Sequence, residues 1–335
     1  MWGRWRYTYN LASDFVWAVS CVKAGIPTLL IAPTSGGKTT IVYAVEKYLK
    51  MKEEPHLLIS RIGLRGLRKI ADIISMSGNF TLLNEDYALI GSSDYMVEKM
   101  AEIIGALSYS RTYYDYGLDI TITVDRLGFV SGVQPWWIRT MMTKPAFITH
   151  IREKFIRYYL LPYKKGKDVD MLTAIEDLVN TLLKIENEPK ETTGFRIPRE
   201  FIEALSVQVG MVRATEYAER IAYPLAELIG AKNVHRALRF YSKRIQFEDN
   251  IVRRDLDERG YNVEVLWQEY TALYWCLRKG VLSREAMRRC LGVSSMRSVE
   301  RVVDKGIRVG WITSLWNSGR KYFIANPRIR EELGW

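Results

Sequence analysis

The feature that most constrains this chain is a glycine-rich segment between a short apolar run and a helical pattern. Ala32–Thr40 reads APTSGGKTT, and its first two residues are the last two of the apolar stretch PTLLIAP. The residues after it, IVYAVEKYL, place apolar side chains at helical spacing. A buried strand, a glycine-rich turn and a helix in this order match the phosphate-loop template GxxxxGK followed by Ser or Thr, with Ala32 in place of the first glycine.

The residue types of this segment predict a site for nucleotide phosphates. Glycines allow successive backbone N–H groups to point at phosphate oxygens, and the start of the helix adds partial positive charge. Lys38 is expected to reach the β- and γ-phosphates, and the Thr39 hydroxyl is expected to ligate magnesium. The predicted cofactors are therefore ATP and Mg²⁺, and the predicted nucleotide-binding residues are Thr34, Ser35, Gly36, Gly37, Lys38, Thr39 and Thr40.

Acidic residues follow the apolar run FTLL, where a parallel strand should reach its carboxyl end. A hydrolase needs one acid near magnesium and another to orient the attacking water. Two registers are open: Asn84–Glu85 replaces the usual Asp–Glu pair, or Glu85–Asp86 supplies both acids in exchanged order. Glu85 is favoured as the essential residue and as a magnesium ligand because both registers use it. The alternative is a solvated turn after a strand, where acids are common.

Two later residues are further catalytic candidates. Gln134 ends the predicted strand LGFVSGV, a position from which an amide can contact the γ-phosphate. Arg157 lies in EKFIRYYLLP, and an arginine delivered to a nucleotide stabilises charge on the transferring phosphoryl group. Each residue also has a structural interpretation. A Gln-Pro pair can simply cap a strand, and an arginine flanked by aromatic residues can pack against them.

Taken in order, the motifs APTSGGKTT, FTLLNED, FVSGVQP and FIRYYLLP resemble those of the RecA-like P-loop ATPases of plasmids and viruses. The resemblance covers roughly residues 25–163, and Asn84 departs from the pattern of that family. It implies a multimeric ATPase, and hence a homo-oligomer, that acts on DNA. It also implies that Gln134 senses the γ-phosphate and that Arg157 is an arginine finger supplied in trans.

The chain divides by composition into three segments. Residues 1–165 alternate strand and helix patterns, which predicts an α/β P-loop domain with a parallel sheet. Residues 166–262 read as helical after the charged stretch KKGKDVD, and residues 263–335 read as helices followed by a hairpin. The resemblance above implies that the first segment is a RecA-like sheet domain. A helical middle segment follows, and the motifs described below imply a C-terminal winged helix-turn-helix.

The helical middle segment contains one strongly patterned helix. Arg213–Ala226 carries small and apolar side chains at helical spacing, which is typical of a helix packed against a core. Its arginines, Arg213 and Arg220, either sense the nucleotide or face solvent, and solvent is favoured. Pro224 is expected to kink this helix or mark its end.

The last 70 residues resemble the winged-helix family in the order, spacing and length of their elements. Gly292 occupies the expected turn between the second and third helices, and Ser294 and Ser295 are candidate caps for the third. Four apolar residues of that helix are expected to face the core: Val299, Val302, Val303 and Ile307. The resemblance and the charges predict contacts to double-stranded DNA through Arg297, Ser298, Arg301, Lys305, Arg320 and Lys321.

The distribution of charge supports a polyanionic partner. The chain has 49 Lys and Arg against 38 Asp and Glu, a formal charge of +11. Residues 281–335 contain 11 basic and 5 acidic residues, so +6 of that excess lies in 55 residues. This concentration favours DNA over the protein–protein contacts that other winged helices make.

Composition also excludes several classes of protein. A content of 48% hydrophobic residues rules out a disordered chain, and no apolar run approaches the roughly 18 residues of a membrane span. Cys21, Cys276 and Cys290 form no CxxC pair, which argues against a disulfide framework or zinc site and favours a reducing, cytoplasmic location. The three histidines lack metal-ligand spacing, and the low glutamine content is typical of a heat-adapted protein.

These features predict an ATP-driven DNA motor or helicase-like protein of a mobile element. Three alternatives remain open. The first is an AAA+-like nucleotide switch that recruits or loads partners at a DNA site. The second is an accessory ATPase of DNA packaging or transposition. The third is a sequence-specific DNA-binding protein whose phosphate loop has lost catalysis, against which the intact Lys38 and Thr39 argue.

Overall fold

The chain divides into two compact units in the computed structural model, Met1–Gln246 and Phe247–Trp335. The first unit joins the predicted sheet segment to the helices that follow it, although the sequence analysis placed a boundary near residue 165. The structure describes residues 9–32, 36–91, 93–135, 137–138, 147–160, 170–247, 276–277, 280–308 and 312–325.

A five-stranded parallel sheet forms the centre of the first unit. Its strands have the order β2-β3-β6-β1-β7. They are β1 (Thr28–Ile31), β2 (His56–Ile59), β3 (Asn79–Asn84), β6 (Arg126–Val133) and β7 (Ile156–Tyr159). The predicted α/β fold with a parallel sheet is thereby confirmed. Because all five strands run in one direction, the residues that follow β1, β3 and β6 lie at the same edge of the sheet.

Helices cover this sheet, as parallel sheets require for burial of both faces. Every residue of β1 is buried, and so are seven of the eight residues of β6. The helices of this unit are α1 (Tyr9–Ala24), α2 (Lys38–Met51), α3 (Leu64–Ser77), α4 (Asp94–Ser110), α5 (Met171–Glu186), α6 (Arg199–Val209), α7 (Met211–Ile229) and α8 (Ala231–Phe247). A 3₁₀ turn (Tyr87–Leu89) and a π-helix (Phe147–Arg152) complete the connections.

The middle helices pack onto the sheet unit through α1 and α2. Helix α7 contacts α1, and α5 contacts α2. The predicted apolar stripe of α7 is buried along its length: Ala214, Tyr217, Ala218, Ile221, Ala222 and Leu225. The helix runs through Pro224 to Ile229, so of the two expected effects of this proline, a kink or the end of the helix, the structure excludes the second. Packing of the apolar stripe offsets the loss of one backbone hydrogen bond.

A two-stranded hairpin stands beside the main sheet. Its strands are β4 (Thr112–Asp115) and β5 (Ile120–Thr123), which pair only with each other. The aromatic residues of β4 are typical of a strand as well as of a loop. Buried and exposed side chains alternate along both strands, as in a sheet with one covered face: Tyr113 and Ile122 are buried, while Tyr114 and Thr121 are exposed.

Within residues 280–308 and 312–325, the second unit has two helices and a three-stranded antiparallel sheet. Its elements are β8 (Leu282–Ser283), α9 (Arg284–Leu291), α10 (Met296–Arg308), β9 (Ile312–Asn317) and β10 (Arg320–Ala325), with strand order β8-β10-β9. The hydroxyl of Ser295 accepts from the Ser298 N–H at 3.1 Å, so Ser295 caps α10 as predicted. Ser318 and Gly319 both have positive φ, the geometry of a tight hairpin turn.

Two expectations about this unit are corrected. Ile307 is 37% exposed, whereas Val299, Val302 and Val303 of the same helix are buried as expected. Cys276 and Cys290 form a disulfide with their Cα atoms 5.7 Å apart, so the argument against disulfides is wrong. Pairing depends on distance in the folded chain, which sequence spacing does not report. Among the described residues, no helix combines the length and apolar character needed to cross a membrane.

Candidate nucleotide-binding site

The glycine-rich segment lies where the sequence analysis predicted, between β1 and α2. Ala32 follows β1, and its N–H donates to the Val133 carbonyl at the end of β6. Gly37 precedes the first residue of α2 with φ 88°, a left-handed conformation that favours glycine. The start of α2 therefore faces the carboxyl edge of the sheet. The predicted site residues Thr34 and Ser35, at the tip of the segment, lie outside the described residues.

Lys38 lies buried at the first position of α2. Its side chain folds back across the glycine-rich segment, and Nζ donates to the Ala32 carbonyl at 2.5 Å. The ammonium group is thus held between the end of β1 and the start of α2. Backbone N–H groups at the start of a helix carry partial positive charge, so the ammonium adds to a field that already favours an anion.

A hydrogen bond from α2 fixes the carboxylate of Glu85. The Tyr43 hydroxyl donates to Oε1 of Glu85 at 2.6 Å, and this bond is the main reason why the pKa of Tyr43 is raised. Thr39 and Tyr43 are four residues apart and therefore share a face of α2. Glu85 consequently reaches the face of α2 that carries Thr39. Sequence reasoning missed Tyr43, although its spacing from Thr39 was a usable signal.

A glycine in β6 allows these segments to come together. A Cβ atom at Gly132 would overlap the backbone carbonyl oxygen of Glu85 and would lie 3.2 Å from the Lys38 Cβ. Any larger residue there would push apart the end of β3 and the start of α2. The sequence analysis included Gly132 in a family motif but assigned it no role.

The two neighbours of Glu85 have structural partners. Asn84 is fully buried; its Nδ2 donates to the Ile59 carbonyl at 2.7 Å, and its Oδ1 accepts from the Ser131 hydroxyl at 2.7 Å. Asp86 accepts from the Ala88 N–H at 3.1 Å and caps the 3₁₀ turn. Burial raises the pKa of Asp86, and the backbone bond and the charge of Lys38 oppose that shift. Glu85 differs from both neighbours in that its side chain accepts a hydrogen bond from a side chain of α2.

Gln134 and Arg157 lie in different environments. Gln134 follows β6 at the carboxyl edge and is half-buried. Arg157 is fully buried in β7, pairs with Leu29 in register, and donates from Nη1 to the Arg152 carbonyl at 3.1 Å. Its backbone N–H donates to Gln208 of α6 at 2.8 Å. This interior position does not fit the predicted arginine finger in trans, because such a residue must reach a neighbouring subunit.

The two arginines of α7 lie away from the carboxyl edge. Arg220 donates from Nη2 to the carbonyls of Ala24 and Gly25 at 2.8 and 3.0 Å, at the end of α1 and before β1 begins. Arg213 donates to the Glu153 carbonyl, and its guanidinium lies over the Tyr109 ring. Both hold loops at the amino edge of the sheet, so neither is placed to sense a nucleotide bound at the start of α2.

The predicted DNA contacts lie on two elements of the second unit. Arg297 and Arg301 are exposed one turn apart on α10, and Ser298 shares in the cap with Ser295. Arg320 is exposed at the start of β10, and the half-buried Lys321 lies over the Phe323 ring. Lys305 belongs to α10, with its side chain outside the described residues.

Metal ligation at this site rests on few protein groups. In the part of the chain that the structure describes, no three His, Cys, Asp or Glu side chains gather as a metal site. A magnesium ion bound with a nucleotide typically needs only one or two protein ligands, since phosphate oxygens and waters supply the others.

No protein-family model and no curated protein matches this chain.

Proposed function

We propose that the first unit is a RecA-like P-loop ATPase domain and that the chain is an ATP-dependent, DNA-binding ATPase of a mobile element. The protein would act in the cytoplasm as a homo-oligomer, in a helicase-like or DNA-motor role. One observation carries the proposal: the carboxyl edge of a parallel sheet brings the Gly37–Lys38 start of α2 next to Glu85. Ligands of open parallel sheets bind at this edge.

The groups at this edge suit the phosphates of Mg-ATP. Gly36, Gly37 and the first N–H groups of α2 would hold the phosphates, with Lys38 against the β- and γ-oxygens. The hydroxyl of Thr39 and the carboxylate of Glu85 would face the magnesium, directly or through water. Bound magnesium would neutralise charge on the phosphates. Thr40 is buried just beyond, and Gln134 lies on the neighbouring strand end.

Within this proposal Glu85 orients the attacking water and accepts its proton. Tyr43 is then a positioning residue, since its hydroxyl sets the direction of the Glu85 carboxylate. The same bond also favours the alternative of a slow nucleotide switch, because it engages the Glu85 oxygen Oε1 that would otherwise be free to contact the attacking water. The rate of hydrolysis separates the two functions.

The second unit supplies the DNA contact in this proposal. Its order of β8, α9, α10 and a β9–β10 hairpin supports the proposal of a winged helix, in which α10 would be the recognition helix. The exposed Arg297 and Arg301 would enter the major groove together, and Arg320 on the hairpin would meet the phosphate backbone.

Hydrolysis by acid-to-amide variants of the full chain tests the proposal. Glu85→Gln should keep ATP binding and lower turnover by about 10²–10⁴-fold, the usual contribution of a general base. Glu53→Gln, which changes an exposed carboxylate just beyond the end of α2, is the matched control and should keep normal turnover.

Three outcomes are informative beyond the expected one. A loss of turnover confined to Asp86→Asn would move the role of base from Glu85 to Asp86. Normal turnover in both acid variants would contradict a catalytic role for either. ATP binding without measurable hydrolysis in the unmodified chain would favour the nucleotide switch.

A further inference from the structure

Helix α8 carries an unusual excess of positive charge. Its sequence, AKNVHRALRFYSKRIQF, contains five Lys and Arg residues and no Asp or Glu. These 17 residues therefore account for +5 of the formal charge of +11 of the whole chain. The excess lies in the first unit, which the sequence analysis did not assign to DNA contact.

Four of these cations share one face of the helix. Lys232, Arg236, Arg239 and Lys243 follow one another at intervals of four, three and four residues. With about 100° of rotation per residue, they fall within an arc of roughly 60° and span about 16 Å along the axis. We call these four residues the α8 stripe. Arg236 and Arg239, at its centre, are exposed.

The opposite face of α8 is buried in the hydrophobic core of the first unit. Val234, Leu238, Tyr241 and Ile245 are at most 1% exposed. The fifth cation, Arg244, is also buried, and its charge opposes the rise in the pKa of Asp14. The orientation of the stripe toward solvent is therefore fixed by packing. The helix cannot turn an apolar face to a membrane, because that face already fills the interior.

Neighbouring acids neutralise only part of the stripe. Arg239 has Glu200 of α6 at 3.9 Å, and both side chains are more than half exposed. An exposed ion pair at that distance contributes little free energy, so Arg239 can exchange Glu200 for another anion at little cost. Glu188 and Glu191 line the same surface cavity as Lys232 at the start of the helix, so Arg236 and Arg239, which are exposed at the centre of the stripe, are the residues to test.

We propose that the α8 stripe binds the phosphate backbone of nucleic acid without reading its bases. A row of exposed cations on a rigid helix is suited to a regularly charged polyanion, and such contacts are independent of sequence. The stripe does not depend on the nucleotide site.

Charge-neutral variants of the full chain test this proposal. Binding to a short random-sequence DNA duplex is measured by fluorescence anisotropy over a salt series of roughly 50 to 200 mM. Arg236→Gln/Arg239→Gln should weaken binding by about tenfold or more and lower the log–log salt slope by about one to two. Lys50→Gln/Lys184→Gln removes two exposed cations from α2 and α5 and should change neither quantity appreciably. Arg236→Lys/Arg239→Lys should restore binding, since backbone contact needs charge.

The proposal is overturned if the α8 variant binds the duplex as the unmodified chain does. Equal losses in the α8 variant and its control would also overturn it, because net charge alone would then explain them. Loss of binding to anionic lipid vesicles with unchanged duplex binding would assign the stripe to membranes instead. Thermal melting and ATP binding are recorded for each variant. If the ATPase proposal fails, the unmodified chain will not bind ATP. The salt slope of duplex binding tests the α8 stripe separately.

Discussion

The carboxyl group of Asp14 shows how burial sets the chemistry of a single residue in this protein. Asp14 lies in α1, is 2% exposed, and accepts a hydrogen bond from the Tyr158 hydroxyl at 2.7 Å. Burial raises its pKa from 3.8 to about 6, and the charge of Arg244 and the bond from Tyr158 oppose that shift. The folded state therefore holds this proton more tightly than the unfolded chain does.

This shift predicts a pH-dependent contribution to stability. Because the folded pKa exceeds the unfolded value, the contribution is complete below pH 3.8 and is lost as pH rises toward 6. Asp14→Asn removes this contribution. As pH rises from about 3.5 to 7, the unfolding free energy of the unmodified chain should therefore fall by about 3 kcal/mol relative to that of the variant. Urea unfolding at several pH values measures this. Asp72→Asn, at an exposed site, is the control, and an equal pH trend in both variants would refute the assignment.

At the scale of elements, local sequence patterns predicted β1, α2, the C-terminal hairpin and the parallel sheet. Their signals lie within a few residues of one another, as glycine placement and apolar periodicity do. Local patterns did not predict three features of the structure: the Tyr43–Glu85 hydrogen bond, the interior position of Arg157 and the Cys276–Cys290 disulfide. Each depends on which elements pack together. The spacing of Tyr43 from Thr39 and the aromatic neighbours of Arg157 were partial local signals, but no local pattern specifies the partner across the fold.

Helix α10 and the β9–β10 hairpin are expected to differ in how they contact DNA. Arg297→Ala should cost about 1–3 kcal/mol on a preferred site and relax preference there, because a side chain on the recognition helix reads bases. Arg320→Ala should weaken all duplexes about equally and lower the salt slope by about one. Competition binding with preferred and random duplexes distinguishes these effects. Identical behaviour of the two variants would contradict the separate roles.

For the whole molecule, the decisive feature is that the middle helices stabilise the position of α2. Glu186 at the end of α5 forms ion pairs with Lys23 at 3.1 Å and Lys52 at 2.9 Å, and it accepts from the Tyr48 hydroxyl. Burial acts to raise the pKa of Glu186, but Lys52 and Lys23 prevail and lower it. One carboxylate thus joins α1, α2 and α5. The helix that begins at Lys38 is held by residues outside the predicted sheet segment.

The central claim is that the carboxyl edge of the sheet binds ATP through Lys38. Titration of the full chain with ATP and magnesium, followed by isothermal calorimetry, tests it most directly. We expect saturable binding of one ATP per chain, and we expect Lys38→Ala to abolish it, since the variant loses the cation held over the glycine-rich segment. Lys50→Ala, at an exposed position near the other end of α2, should bind as the unmodified chain does. Unchanged ATP affinity in Lys38→Ala would contradict the account.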